Sequence, residues 1–151
     1  MVLLRRFLVM QLLMLWQGGF LFYALFVVPV GTDVLGSAFE QGRITRFVTR
    51  SMNLVGVAAL GIMLWELICQ SGNSKRSTRS IVLSWLIMAL SLIVLFWLHP
   101  LLEADVDYSV DRFRDRVHFR LLHRTYLWVC TIQWLAGLIF VGLLVARWRR
   151  P

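Results

Sequence analysis

The chain has 151 residues, of which 59% are hydrophobic and 16% charged, and its mean hydropathy is +0.72. Soluble domains average about 45–50% apolar and 25% charged residues, so this composition excludes a soluble enzyme, a disordered tail and a collagen-like fibre. The net charge of +8 would suggest nucleic acid in a soluble chain. Here the basic residues flank four apolar runs, where positive charge orients a membrane protein, so the expected partner is the lipid bilayer and not nucleic acid.

The first span is expected over residues 7–30. Arg5 and Arg6 before an apolar run resemble a signal peptide, but the run exceeds the roughly 7–15 residues of a secretory apolar core and has no Ala-x-Ala pattern. It therefore reads as a retained helix, ended by Pro29 and Gly31. Ser37-x-x-Glu40 has capping-box spacing. Ile44, Phe47, Val48, Met52 and Val55 then follow helical spacing, which predicts a short amphipathic helix running into a second span over 51–69. Residues 71–77 read as a polar loop. A third span covers 80–98 and is closed by His99-Pro100; a fourth covers 125–146 and is followed by Arg147, Arg149 and Arg150.

Between spans three and four, Glu103, Asp107, Asp111 and Asp115 recur every four residues, as do Arg112, Arg116, Arg120 and Arg124. Val106, Val110, Phe113 and Val117 form an apolar stripe beside them. This spacing predicts an extramembrane amphipathic helix over 103–124, with Arg112 pairing Asp115 and Asp111 pairing Arg114. The expected fold is all-α: a single-domain, integral membrane antiparallel four-helix bundle with that additional helix between spans three and four.

Counting Lys and Arg alone gives eight on each side of the membrane. Seven of the eight acids fall on the side opposite the termini, and only Glu66 lies on the terminus side. The short loop and tails then favour both termini in the cytoplasm and residence in the cytoplasmic (inner) membrane.

An ionisable group in a span is a functional candidate. Glu66 lies about one turn from the end of span two, within reach of Arg5, Arg6, Lys75 or Arg76, with Gln11 at similar depth. Gln17, Ser84, Ser91, Thr131 and Gln133 can hydrogen-bond between helices, and Gly18-Gly19, Gly56, Gly61 and Gly142-x-x-x-Ala146 allow close backbone approach. The seven Trp residues lie mostly toward span ends. Cys69 and Cys130 fall near opposite ends of the bundle, too far apart for a disulfide.

His99 and His123 flank the same interface, and Cys130 follows His123 by seven residues on one face, so His99, His123 and Cys130 are the candidate metal ligands; an interfacial histidine hydrogen-bonded to the connection is the competing reading. No Ser-His-Asp arrangement, phosphate-binding glycine loop or His-Glu-x-x-His motif is present, so neither a catalytic residue nor a cofactor is assigned.

Gly19-Phe20-Leu21-Phe22, with Pro29 ending the same helix and Gln41 following, Trp97-Leu98-His99-Pro100, and Phe119-x-x-x-His123 together resemble the transmembrane protein 205-like family (domain of unknown function 4149). The family pattern implies an Asn at position 130 and an acid at position 99, where this chain carries Cys130 and His99. The resemblance implies a multi-pass helical membrane protein and carries no established reaction. The functional readings are a non-enzymatic structural or partner-binding protein, as a homo-oligomer or with another membrane protein; a small-solute or metal-ion transporter using His99, His123 and Glu66; and a small membrane enzyme acting on lipophilic substrates.

Overall fold

The computed structural model describes residues 2–69 and 75–149, with the side chains of 75–77 outside the description. Most of the expected loop at 71–77 therefore lies outside the described residues. Four helices are long and apolar enough to cross a membrane: α1, Val2–Leu35; α2, Ala38–Cys69; α3, Lys75–Ala104; and α4, Arg116–Trp148. Helices are the form in which a lipid-exposed backbone satisfies its own N–H and C=O groups. The fold is an integral membrane helical bundle.

The helices run past several expected stops. α1 continues through Pro29 and Gly31 to Leu35, and ends where Gly36 adopts a left-handed φ of 65°. Pro29 has no N–H to donate and its ring crowds the carbonyl four residues earlier. A π-helical turn, Tyr23–Val27, immediately precedes it and widens the backbone there. α3 likewise continues through Pro100 to Ala104. Leu98 and Leu102, on either side of that proline, pack into one cluster with Leu95, Tyr126 and Cys130, and this packing carries the helix past the missing bond.

The expected extramembrane helix over 103–124 is not formed. Its first part closes α3, and its last part opens α4. Between them lies a short antiparallel hairpin, β1 (Val106–Asp107) paired with β2 (Arg112–Phe113). Of the acids that recur every four residues, Asp107 and Asp115 have local backbone duties, Asp111 pairs with Arg43 and Glu103 lies beside His99, so they share no helix face. Asp107 Oδ1 accepts from the Ser109 amide at 3.1 Å and hydroxyl at 2.6 Å, making the turn; Asp111 takes a φ of 50°. Asp115 caps α4, accepting from the Val117 and His118 amides at 2.9 Å each. The expected pairs Arg112–Asp115 and Asp111–Arg114 are absent among the described residues, because Asp111 is held by Arg43 at 3.1 Å. Nor does the apolar stripe share one environment: Val106 is buried, while Val110 and Val117 are exposed.

Ser37 does cap α2, accepting from the Phe39 amide at 3.2 Å and the Glu40 amide at 3.5 Å. The return half of the box is missing because Glu40 accepts from Arg43 at 2.8 Å.

The main core draws on all four helices: Val9, Leu13 and Trp16 from α1; Ala59, Leu60 and Met63 from α2; Ile81, Met88 and Leu92 from α3; Ala136, Phe140 and Leu144 from α4. In lipid this packing rests on van der Waals contact, since apolar side chains gain nothing by leaving hydrocarbon. Trp16 shows the fit required. Its indole lies so close to Gly56 that a Cβ there would come within 2.6 Å of the ring. α1 is the most peripheral helix, with 11% of its most apolar stretch buried against 33–39% for the other three.

Candidate functional site

Buried polar side chains assemble into separate locks between helices, and the most completely buried is Glu66. It lies late in α2 and is fully buried. Arg5, early in α1, donates its Nε to Oε2, and Trp148, late in α4, donates its indole N–H to Oε1 at 3.0 Å. The Arg6 guanidinium lies over the Trp148 ring at 5.0 Å, and that of Arg5 over Trp65 at 6.0 Å. Three helices thus meet on one carboxylate, and the contact sets the start of α1 and the ends of α2 and α4 at one end of the bundle. Gln11 is exposed and lies outside this group.

The second lock joins α1 to α2 near the other end. Gln41, 3% exposed, donates to the Tyr23 hydroxyl at 3.2 Å and to Thr45 Oγ1 at 3.5 Å. Tyr23 donates to Thr45 at 3.1 Å, and Thr45 donates back to the Gln41 carbonyl at 2.8 Å. Gly31 makes room for it: a Cβ there would fall 2.0 Å from Gln41 Oε1. Deeper in the bundle, buried Asn53 donates to the Tyr126 hydroxyl at 3.4 Å, Gln133 to the Met88 carbonyl at 3.3 Å, and Trp85 to the Leu60 carbonyl at 3.0 Å.

The hairpin end carries a more exposed network. Arg43 donates to Glu40, to the Tyr108 carbonyl and to Asp111, tying α2 to the hairpin. The Arg46 guanidinium lies over the Tyr108 ring at 5.2 Å. His99 Nε2 meets the Arg46 carbonyl at 3.1 Å, and its Nδ1 lies 3.8 Å from Glu103. His118 Nδ1 contacts Asp105 at 2.6 Å, joining the start of α4 to the exit of α3. Phe39, Phe113, Phe119 and His123 form a column with successive ring separations of 4.9, 4.7 and 5.8 Å. Hydrogen bonds from the Ser109 hydroxyl and amide hold the Asp107 carboxyl below its ordinary range, and the His118 amide, with that of Val117, does the same for Asp115. Burial pushes the Tyr108 hydroxyl up.

His99, His123 and Cys130 therefore have three different settings. Both ring nitrogens of His99 face protein atoms, His123 is exposed and stacked on Phe119, and Cys130 is buried beside Tyr126. Among the described residues no group of three or more His, Cys, Asp or Glu side chains is placed to hold a metal ion. Of the other motif residues, Gly19 lies against Met52, Phe20 packs on the cluster around Tyr126, Phe119 stands in the ring column, and Pro29, Trp97 and Pro100 are exposed. Both cysteines are free.

Sequence reasoning missed Tyr23, Thr45, Asn53, Tyr126 and Arg43. One signal was available: Asn53 is an amide well inside an apolar run, and such a group needs a partner. The class defined by this architecture is a multi-helix integral membrane protein. No family model, curated protein or solved structure matches the chain.

Proposed function

We propose that the chain is a non-enzymatic structural or partner-binding protein of the cytoplasmic membrane, with both termini in the cytoplasm. One observation carries the reading: the buried side chains of Glu66, Gln41, Asn53 and Gln133 are committed to neighbouring helices. Glu66 takes Arg5 and Trp148, Gln41 takes Tyr23 and Thr45, Asn53 takes Tyr126, and Gln133 takes the Met88 carbonyl. Such groups fix how the bundle packs. The peripheral α1 leaves Leu21, Phe22, Leu25, Phe26 and Val30 exposed, an apolar face suited to another membrane helix, from a second copy or a different protein.

The test is disulfide crosslinking in native membranes, after Cys69 and Cys130 are replaced by Ala. Single cysteines at Leu21 or Leu25 are expected to give crosslinked species, and single cysteines at the buried Leu13 or Trp16 are not. The proposal fails if no α1 position crosslinks. It fails equally if proteoliposomes show metal uptake that His99→Ala and His123→Ala abolish.

A further inference from the structure

Charge is sorted at the hairpin end in a way that the near-neutral count of that side conceals. Its acids are mostly engaged within the protein: Glu40 and Asp111 by Arg43, Asp105 by His118, Asp107 by Ser109, and Asp115 by the first amides of α4. The arginines that follow are left over. Arg120 and Arg124 are exposed and make no ion pair among the described residues, and Arg116 reaches only the Phe113 ring, at 6.0 Å. These three recur every four residues, so they form one row along α4 in steps of about 6 Å.

The row ends one turn before Trp128, which is 61% exposed, and Leu121, between Arg120 and Arg124, is 60% exposed. Trp128 lies about 12 residues into α4, where the arginine row gives way to the apolar span, and an outward-facing indole at the end of a span marks the level of the lipid headgroups. Exposed leucine next to arginine suits that level too: the aliphatic parts lie in hydrocarbon while the guanidinium reaches the phosphate layer. A row serving only to solvate the helix would have polar neighbours in place of Leu121 and Trp128.

We propose that Arg120 and Arg124, the two nearest the Trp128 level, bind the phosphate of an anionic phospholipid headgroup in the leaflet on the hairpin side, with Arg116 adding positive charge one turn further out. A guanidinium presents paired N–H donors that match phosphate oxygens, and several at fixed spacing favour a net negative headgroup over a zwitterionic one. This inference is independent of what, if anything, packs on α1.

The test reconstitutes the full chain in phosphatidylcholine bilayers carrying a trace of spin-labelled phosphatidylglycerol or spin-labelled phosphatidylcholine, and measures by electron paramagnetic resonance how much of each is motionally restricted. At low salt the expected preference for the anionic lipid is about five-fold, roughly the factor contributed by one surface arginine. It falls toward unity in Arg116→Gln/Arg120→Gln/Arg124→Gln and persists in the corresponding triple Lys variant. It also persists in Arg149→Gln at the opposite end. Should the triple Gln variant fail to fold, Arg120→Gln alone is expected to lower the preference. Equal restriction of the two lipids by the wild type overturns the proposal, as does an unchanged preference in whichever Gln variant folds. Loss of the preference on adding millimolar inorganic phosphate at constant ionic strength assigns the row to a free anion and also overturns it.

Discussion

The two ends of the bundle handle carboxylates in opposite ways. At the terminus end a single acid, Glu66, is fully buried and held by Arg5 and Trp148. At the hairpin end the other seven acids are exposed or half-buried, and several serve turns and caps. Depth decides the role. Near water a carboxylate can accept from nearby amides at little desolvation cost, whereas a buried one requires a counter-charge and hydrogen bonds together. The terminus end is therefore the brittle one.

The contrast is broken most severely at Glu66. Glu66→Ala leaves Arg5 without its counter-charge, and the expected loss is about 3–5 kcal/mol, read from unfolding of the purified protein in mixed detergent micelles. Glu66→Met combined with Arg5→Leu is expected to recover most of that loss, because two apolar side chains carry no desolvation cost. Recovery absent from the double variant would show that the carboxylate does more than neutralise Arg5.

Midway between the ends, Gly56→Val drives a side chain into the Trp16 indole, for an expected loss of about 1–3 kcal/mol in the same assay. An unchanged midpoint would mean that α1 shifts freely on α2. Tyr126→Phe removes the hydroxyl that Asn53 reaches, and a smaller loss of about 0.6 kcal/mol is expected, the average for a hydrogen bond between membrane helices.

The smallest effect is a pH dependence confined to the hairpin end. Asp107 and Asp115 are held below their ordinary value in the folded protein, so their contribution is fully present above the ordinary carboxylate pKa of about 3.9. It is lost as pH falls through the depressed folded values. Acidification should therefore raise amide exchange at Ser109, Val117 and His118 before it affects the Leu60 region of α2. Simultaneous exchange at both sites would show that the hairpin and the bundle open together.

Much of the bundle could be read from composition and run length, since an apolar stretch that must satisfy its own backbone in lipid has few alternatives to helix. The reach of Glu66 toward Arg5 was legible for a related reason: a buried acid near a helix end has few basic side chains close to it. The segment 103–124 misled because spacing by four is shared by a solvated helix face and by a series of turn and cap residues. Asp107, Asp111 and Asp115 satisfy both patterns, and only the backbone distinguishes them.

Residue chemistry in linear order thus determined the membrane as solvent, the number of crossings and the depth at which Glu66 sits, because each follows from local hydrophobicity. Tertiary structure alone decided that Gln41 lies under Gly31 with Tyr23, that Asn53 meets Tyr126, and that His99 faces the Arg46 carbonyl. Those contacts join residues on different helices, and their geometry depends on helix rotation and close packing, which no single segment encodes.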